Sequence, residues 1–239
     1  MSTTTVAATR DGRSAFRLIR SELTKIRTTN TWWFLALGAL GWTLLSLAFN
    51  MWFAHSAFSN PEMFGGEEAG GFTSPEFHAG NLYTSGQYLG LLFVMLIGIL
   101  MVTNEFFHQT ATVTFLTTPH RTVVIANKLI AAVLIGVVFW AVTTLLNLGP
   151  VAYFLNAEDL GTMLGDGSVR RTILLNLVAY AVWSIFGVAI GTLIRSQLAA
   201  TVISTVLYVI GTQVAGLIFT LLAIWLENES VAEWQVIIP

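Results

Sequence analysis

The sequence predicts an all-α protein: a polytopic transmembrane helical bundle of five spans, preceded by an N-terminal amphipathic interfacial helix. Three observations predict it. Of 239 residues, 55% are hydrophobic and only 10% are charged, whereas soluble domains carry about 25% charged residues. The mean hydropathy is +0.72. Five runs, Trp32 to Ala54, Gly86 to Val102, Leu129 to Leu155, Ile173 to Ile194 and Leu198 to Leu226, contain no Asp, Glu, Lys or Arg.

A hydrocarbon core of about 30 Å is crossed by about 20 helical residues, so each run is long enough to span. Lipid offers no partners to backbone N–H and C=O groups, so each span must satisfy its own hydrogen bonds. Runs this long and evenly apolar suit helices rather than the alternating strands of a barrel. The first run is also too long for a secretory signal core and lacks a small-residue cleavage pattern. Residues 32–239 are therefore read as one transmembrane domain, with residues 1–31 outside it. The chain has no cysteine, which excludes disulfides and thiolate metal sites.

Charge sets the expected orientation, because Lys and Arg are retained on the cytoplasmic side. With the N-terminus in the cytoplasm, that side receives Arg10, Arg13, Arg17, Arg20, Lys25, Arg27, Arg121, Lys128 and Arg195, nine of the 11 basic residues. The opposite side receives ten of the 13 acids. Arg170 and Arg171 are the exceptions and are read as reaching to the outer headgroups. Trp32, Trp33 and Trp52 fall at the ends of the first span, where indole rings favour the interface. A multi-pass membrane protein with a cytoplasmic N-terminus follows as the expectation.

Before the first span, residues 14–29 place Phe16, Ile19, Leu23 and Ile26 at spacings of three and four, with Arg17, Arg20, Glu22 and Lys25 elsewhere around the helix. Such a segment lies in the membrane surface plane, as a generic basic anchor or as a docking element. The outer segment His55 to Ser85 is rich in Gly and Pro and is read as a solvated, irregular loop with at most a short helix. Its histidines lack helical ligand spacing for a metal. The inner segment Thr103 to Lys128 is too long for a turn. It predicts a short helix over about 104–116, a break, and a new helix opened by Thr118 and Pro119.

Inside the spans, Asn147, Asn176 and Gln213 are the amide side chains, serving either as contacts between helices or as the lining of a translocation path. Pro150 predicts a kink or an end to the third span. Gly187 and Gly191 form a GxxxG pair that allows close helix approach, a hint of dimerisation. The sequence holds no phosphate-cradling GxxxxGK[ST] loop and no charged intramembrane relay. Energy for any transport must come from another chain or a gradient.

Two stretches resemble a known family, the small permease subunits of type 2 ABC exporters, especially those of high-GC Gram-positive (actinobacterial-like) bacteria. SELTKIRTTNTWW, Ser21 to Trp33, resembles the family's basic amphipathic entry and opening tryptophans. TNEFFHQTATVTFLTTPHRTVVIANKL, Thr103 to Leu129, is similar to its inner loop of an acid, an aromatic, a Thr-rich segment, then Pro, Arg and Lys. GTLIRSQLAATV, Gly191 to Val202, is similar to the basic turn between the fourth and fifth spans.

The resemblance implies a permease that pairs with a second permease subunit, as homo- or heterodimer, and rests on a separate nucleotide-binding ATPase. ATP and Mg would be held by that partner; the chain itself would be no enzyme and bind no cofactor, metal or nucleic acid. Residues 14–29, with Phe16, Ile19, Arg20, Leu23 and Lys25, would be the connecting helix. Glu105, Phe106, Thr110, Thr112 and Arg121 would belong to the coupling element that meets the ATPase. Asn147, Asn176 and Gln213 are carried as candidates for the substrate path, and apolar spans suit a hydrophobic or amphipathic cargo such as a drug or lipid. The family has six spans, so a sixth helix is expected beyond Pro239, preferably in a longer chain. The competing expectation is a non-transporting membrane assembly or regulatory subunit.

Overall fold

A computed structural model describes residues 19–28, 31–60, 74–109 and 121–226. These residues form seven helices, and no strand occurs among them. Helix α1 covers residues 19–28. It is followed by α2 (Thr31–Ser59), α3 (Pro75–Tyr83), α4 (Gln87–Phe107), α5 (Arg121–Ala157), α6 (Gly167–Leu193) and α7 (Gln197–Leu226). Five segments are long and apolar enough to cross a membrane: Trp32–Ser59, Pro75–Phe107, Thr122–Ala157, Gly167–Leu193 and Gln197–Phe219. The chain is an all-α membrane protein. The second of these segments is broken, with α3 and α4 separated by residues 84–86.

Local chemistry explains where several helices begin. Ser74 caps α3 by accepting a 3.2 Å hydrogen bond from the Phe77 N–H, with Pro75 in the first turn. Asp166 caps α6, accepting from the Ser168 N–H at 2.7 Å and the Ser168 hydroxyl at 2.6 Å. Both are the oxygen side chains that satisfy orphan donors at a helix start. At the α3–α4 break, Gly86 has φ of 87°, a left-handed conformation that glycine adopts without a Cβ penalty. Its N–H donates to the Ser46 hydroxyl of α2 at 3.1 Å.

Helix α4 is the centre of the bundle. In the most apolar stretch of the broken span 67% of residues are buried, against 17% in the first and last spans, so α2 and α7 are flanks. Apolar area does not drive helices together when the solvent is also apolar; close packing and hydrogen bonds must do so. The glycines supply the first. A Cβ on Gly98 of α4 would lie 2.8 Å from the Ser184 carbonyl oxygen of α6, and one on Gly187 would fall on the Met95 carbonyl oxygen. A Cβ on Gly191 would stand 3.0 Å from the Ile99 carbonyl oxygen. The GxxxG pair therefore faces α4 of its own chain, which corrects the expectation of a dimer contact. A partner helix with its own glycine at the crossing was available inside the bundle.

Three apolar clusters stack along the bundle. The middle one joins Leu91, Met95 and Ile99 to Ala179, Tyr180 and Tyr208. One end is closed by Leu47, Leu82, Tyr83, Val151, Leu155 and Val169. The other gathers Met101, Val102, Ala131, Ala132 and Val188, with Ile19, Leu23 and Ile26 of α1 packed against it. The apolar stripe of α1 thus has a partner in the bundle as well as in any surrounding lipid.

Several sequence expectations are corrected here. Of the helix expected over 104–116, the described part does not start anew, because α4 runs unbroken through Glu105 and Phe106 to Phe107 and is followed by a turn at His108 and Gln109, where the φ of Gln109 is 55°; residues 110–120, with the start expected at Thr118 and Pro119, lie outside the described residues. Nothing in TNEFF breaks a helix, so α4 continues beyond the apolar run that ends at Val102. Pro150 does not end the third span, as α5 runs through it to Ala157, since a proline near a span's end loses one hydrogen bond that neighbours can offset. Of the outer segment, residues 61–73 lie outside the described residues; the short helix is present as α3, and His78, Ala79, Gly80, Leu82 and Tyr83 on it are buried rather than solvated. His78 is 3% exposed, and its ring lies 5.1 to 5.9 Å from those of Phe53, Phe58 and Phe77.

Candidate functional site at the basic end

Four charged side chains from three helices meet where α1 crosses the ends of α4 and α5. Glu22 and Lys25 are one turn apart on α1, so both project to one side. Glu105 is in the last turn of α4, and Lys128 lies early in α5. The Lys25 ammonium is 2.8 Å from Glu22 Oε1 and 2.7 Å from Glu105 Oε1. The Lys128 ammonium is 2.7 Å from Glu22 Oε2 and 2.9 Å from Glu105 Oε1. The four groups close a ring of alternating sign with zero net charge.

Burial differs sharply around this ring. The side chains of Lys128, Glu22 and Glu105 are 6%, 8% and 10% exposed, whereas Lys25 is 48% exposed. Burial alone would lower the Lys25 pKa, but hydrogen bonds to Glu105 and Glu22 outweigh it and raise the pKa above the usual lysine value. A buried charge is tolerated only where partners replace water, and each carboxylate here has two ammonium neighbours. The ring therefore fastens α1 to α4 and α5, which flank residues 108–120.

A cavity of about 310 Å³ opens beside the ring, between α1 and α4. Ile26, Trp32, Ile97, Leu100 and Met101 form its apolar part, and Glu22, Lys25, Thr28, Asn104, Glu105 and His108 its polar edge. The Trp32 indole N–H donates to the Arg27 carbonyl oxygen at 3.2 Å, tying the start of α2 to the end of α1. Among the described residues no group of three or more His, Asp or Glu side chains could hold a metal ion.

The residues singled out from sequence fall in three places. Lys25 and Glu105 are in the ring. Ile19 and Leu23 pack beneath it, Arg20 is exposed, and Phe106 packs in the same region with the Arg195 guanidinium 5.8 Å above its ring. Arg121 opens α5. Phe16, Thr110 and Thr112 lie outside the described residues. Asn147 and Asn176 are buried, at 1% and 2% exposure, while Gln213 is exposed on α7.

Asn147 belongs to a second polar cluster at the opposite end of the bundle. Its amide donates to the carbonyl oxygens of Tyr83 at 3.2 Å and Ser85 at 3.0 Å, and the Asn50 amide donates to the Ser85 hydroxyl at 3.0 Å. These bonds serve the backbone that the α3–α4 break leaves without helical partners. Nearby, the Tyr83 hydroxyl donates to the Thr162 carbonyl oxygen at 2.7 Å. In the middle, the Tyr208 hydroxyl of α7 donates to the Tyr88 carbonyl oxygen of α4.

Sequence reasoning did not bring Glu22 and Lys128 together with Lys25 and Glu105. A signal was present: Glu22 and Glu105 are two of only three acids on the side assigned nine basic residues, and an acid retained among bases is a candidate for pairing. Compared with known proteins, the chain matches no family model, no curated protein and no solved structure.

Proposed function

We propose that this chain is the membrane-spanning permease subunit of an ATP-driven ABC exporter in a bacterial plasma membrane, with its N-terminus in the cytoplasm. It pairs with a second permease subunit and is driven by a separate nucleotide-binding ATPase that holds ATP and Mg. The observation that carries the reading is the buried ionic ring. In this reading residues 108–120 meet the ATPase, and force applied there reaches α4 and α5 at their junction with α1. Three helices joined by buried charges move together, because parting them would expose unpaired ions.

The order of charge along the sequence supports the same orientation, and the resemblance of Ser21 to Trp33 and Thr103 to Leu129 supports the family. The cargo is hydrophobic or amphipathic in this reading, since the spans offer few polar side chains to a path.

Affinity purification from native membranes tests the assignment directly. A nucleotide-binding ATPase is expected to co-purify, and ATP hydrolysis in proteoliposomes should drive export. Arg121→Glu, outside the ring, should leave assembly intact and uncouple hydrolysis from export. Repeated purification without an ATPase would overturn the exporter reading. Full export by Arg121→Glu would overturn the assigned role of that residue.

A further inference from the structure

We infer that the cavity between α1 and α4 holds the headgroup and glycerol region of one anionic phospholipid from the surrounding bilayer. The cavity is amphipathic in the order a lipid requires. Its floor is Ile97, Leu100 and Met101 of α4, its side wall is Ile26 and Trp32, and its edge carries Lys25, Thr28, Asn104 and His108 together with Glu22 and Glu105, whose carboxylates are held by the lysines of the ring. An acyl chain leaving the floor continues along an apolar span; a phosphate at the edge meets nitrogen donors.

Three observations favour this occupant. First, the cavity opens where α1 meets the start of α2, beside Trp32, a residue type concentrated at headgroup level. Lipid is the molecule present there at highest concentration. Second, the charge is complementary. The ring is neutral, and of its three members that line the cavity Glu22 and Glu105 are buried and each held by two lysines, whereas the cation Lys25 is half exposed. Arg20 and Arg27 on α1 and Arg195 beside Phe106 add further positive charge at this end, and basic residues near a bilayer surface attract anionic lipid. Third, about 310 Å³ is at the small end of ligand cavities, which run from about 300 to 1,000 Å³. It suits a headgroup whose chains remain outside.

The consequence is a lipid wedged between the entry helix and the central span, beside the ring that joins them. Its occupancy would stabilise the junction of α1 with α4 whatever the chain transports.

Native mass spectrometry of the full chain tests this, after equilibration in nanodiscs containing equal phosphatidylglycerol and phosphatidylcholine. One phosphatidylglycerol per chain should be retained, in at least fivefold preference, and phosphatidylglycerol should raise the melting temperature more than phosphatidylcholine does. His108→Glu, at the exposed edge, should reduce retention at least tenfold, as should Leu100→Trp, which fills the floor. Thr192→Glu, the same charge placed on an exposed site of α6, should leave retention unchanged. Equal retention of the two lipids would overturn the site. So would wild-type retention by a folded His108→Glu protein, or equal loss in Thr192→Glu, which would mean diffuse attraction. A melting shift from inorganic phosphate as large as that from phosphatidylglycerol would overturn the lipid assignment.

Discussion

Replacing Lys128 by methionine tests the ring most directly, because methionine keeps the side chain's length and apolar stem while removing its charge. Lys128 is the most buried member, at 6% side-chain exposure, and contacts both carboxylates at 2.7 and 2.9 Å. Its loss removes one of the two ammonium neighbours of Glu22 and Glu105, and the other, Lys25, is half in solvent. Breaking a buried ion pair by removing one partner costs about 3–5 kcal/mol, chiefly because a charge is left unpaired. At about 2–4 °C per kcal/mol for a chain of this size, the melting temperature should fall by roughly 6–20 °C. The same change at Lys25 acts on a screened group and should cost about 1 kcal/mol or less. The second half of the test is Glu22→Gln combined with Lys128→Met, which returns the cluster to one carboxylate and one ammonium. The double variant should be more stable than the sum of the two single losses, with a coupling of about 0.5–3 kcal/mol. Thermal melts followed by size-exclusion chromatography in detergent read all four proteins. A Lys128→Met protein within 2 °C of the parent, or strict additivity in the double variant, would refute the ring as the junction of α1 with the bundle.

Asn147→Leu should strand the carbonyl oxygens of Tyr83 and Ser85 in a buried site, at about 1–3 kcal/mol for each group left unsatisfied; a melting temperature unchanged from the parent would show that the break does not depend on this amide. Gly187→Ala should reduce the yield of monodisperse protein, since its Cβ would fall on the Met95 backbone and overpacking costs about 1–3 kcal/mol or more. Gly41→Ala, with no atom near the added carbon, should be neutral or slightly stabilising, and chromatographic profiles of the two variants should separate accordingly. Because the Lys25 pKa in the folded protein is raised above 10.5, its charge contributes stability that is fully present below pH 10.5 and is lost as pH rises through the higher folded value. Above pH 10.5 the parent should therefore lose melting temperature more steeply than Lys25→Met, and parallel pH profiles would contradict the pairing of Lys25 with Glu22 and Glu105.

The spans were legible because lipid imposes one rule on every residue in them: an uninterrupted apolar length near 20 residues can be found without knowing any contact. Their ends were not legible in the same way. Helix α5 covers Arg121–Ala157, beyond the apolar run of 129–155, because a helix need not stop where the hydrocarbon does. The stripe of Ile19, Leu23 and Ile26 announced the amphipathic α1, since periodicity of 3.6 is a local property. What periodicity could not reveal was pairing across distance. Lys25 and Glu105 are separated by 80 positions, Glu22 and Lys128 by 106, and Asn147 and Ser85 by 62. Gly187 and Gly191 show the same limit from another side. The pair correctly signalled close approach, but the identity of the approaching helix is a tertiary fact, and it was α4.

The two polar clusters also explain how a bundle with so apolar a surface holds a defined arrangement. Along α5, Lys128 and Asn147 are separated by roughly 28 Å at 1.5 Å per residue, close to the thickness of a hydrocarbon core. The ring and the Asn147 contacts therefore fix the bundle near its two ends, and between them α4 and α6 are joined by the seam of Gly98, Gly187 and Gly191. The flanks are held more sparingly. Helix α2 is joined through Ser46 and Asn50 to the break, and through His55 Nδ1 to Glu158 Oε1 at 2.7 Å. Helix α7 is joined to α4 through the Tyr208 hydroxyl. Their outer faces carry Leu44, Leu45 and Phe49 on α2, and Leu207, Ile210 and Leu217 on α7, each more than half exposed. In lipid such exposure carries no penalty, so these faces can meet bilayer or another apolar helix at little difference in energy. The central helices are positioned by contacts that are costly to exchange, and the flanks by contacts that permit repacking. A change of shape in this chain would therefore move α2 and α7 over a body of α1, α4, α5 and α6.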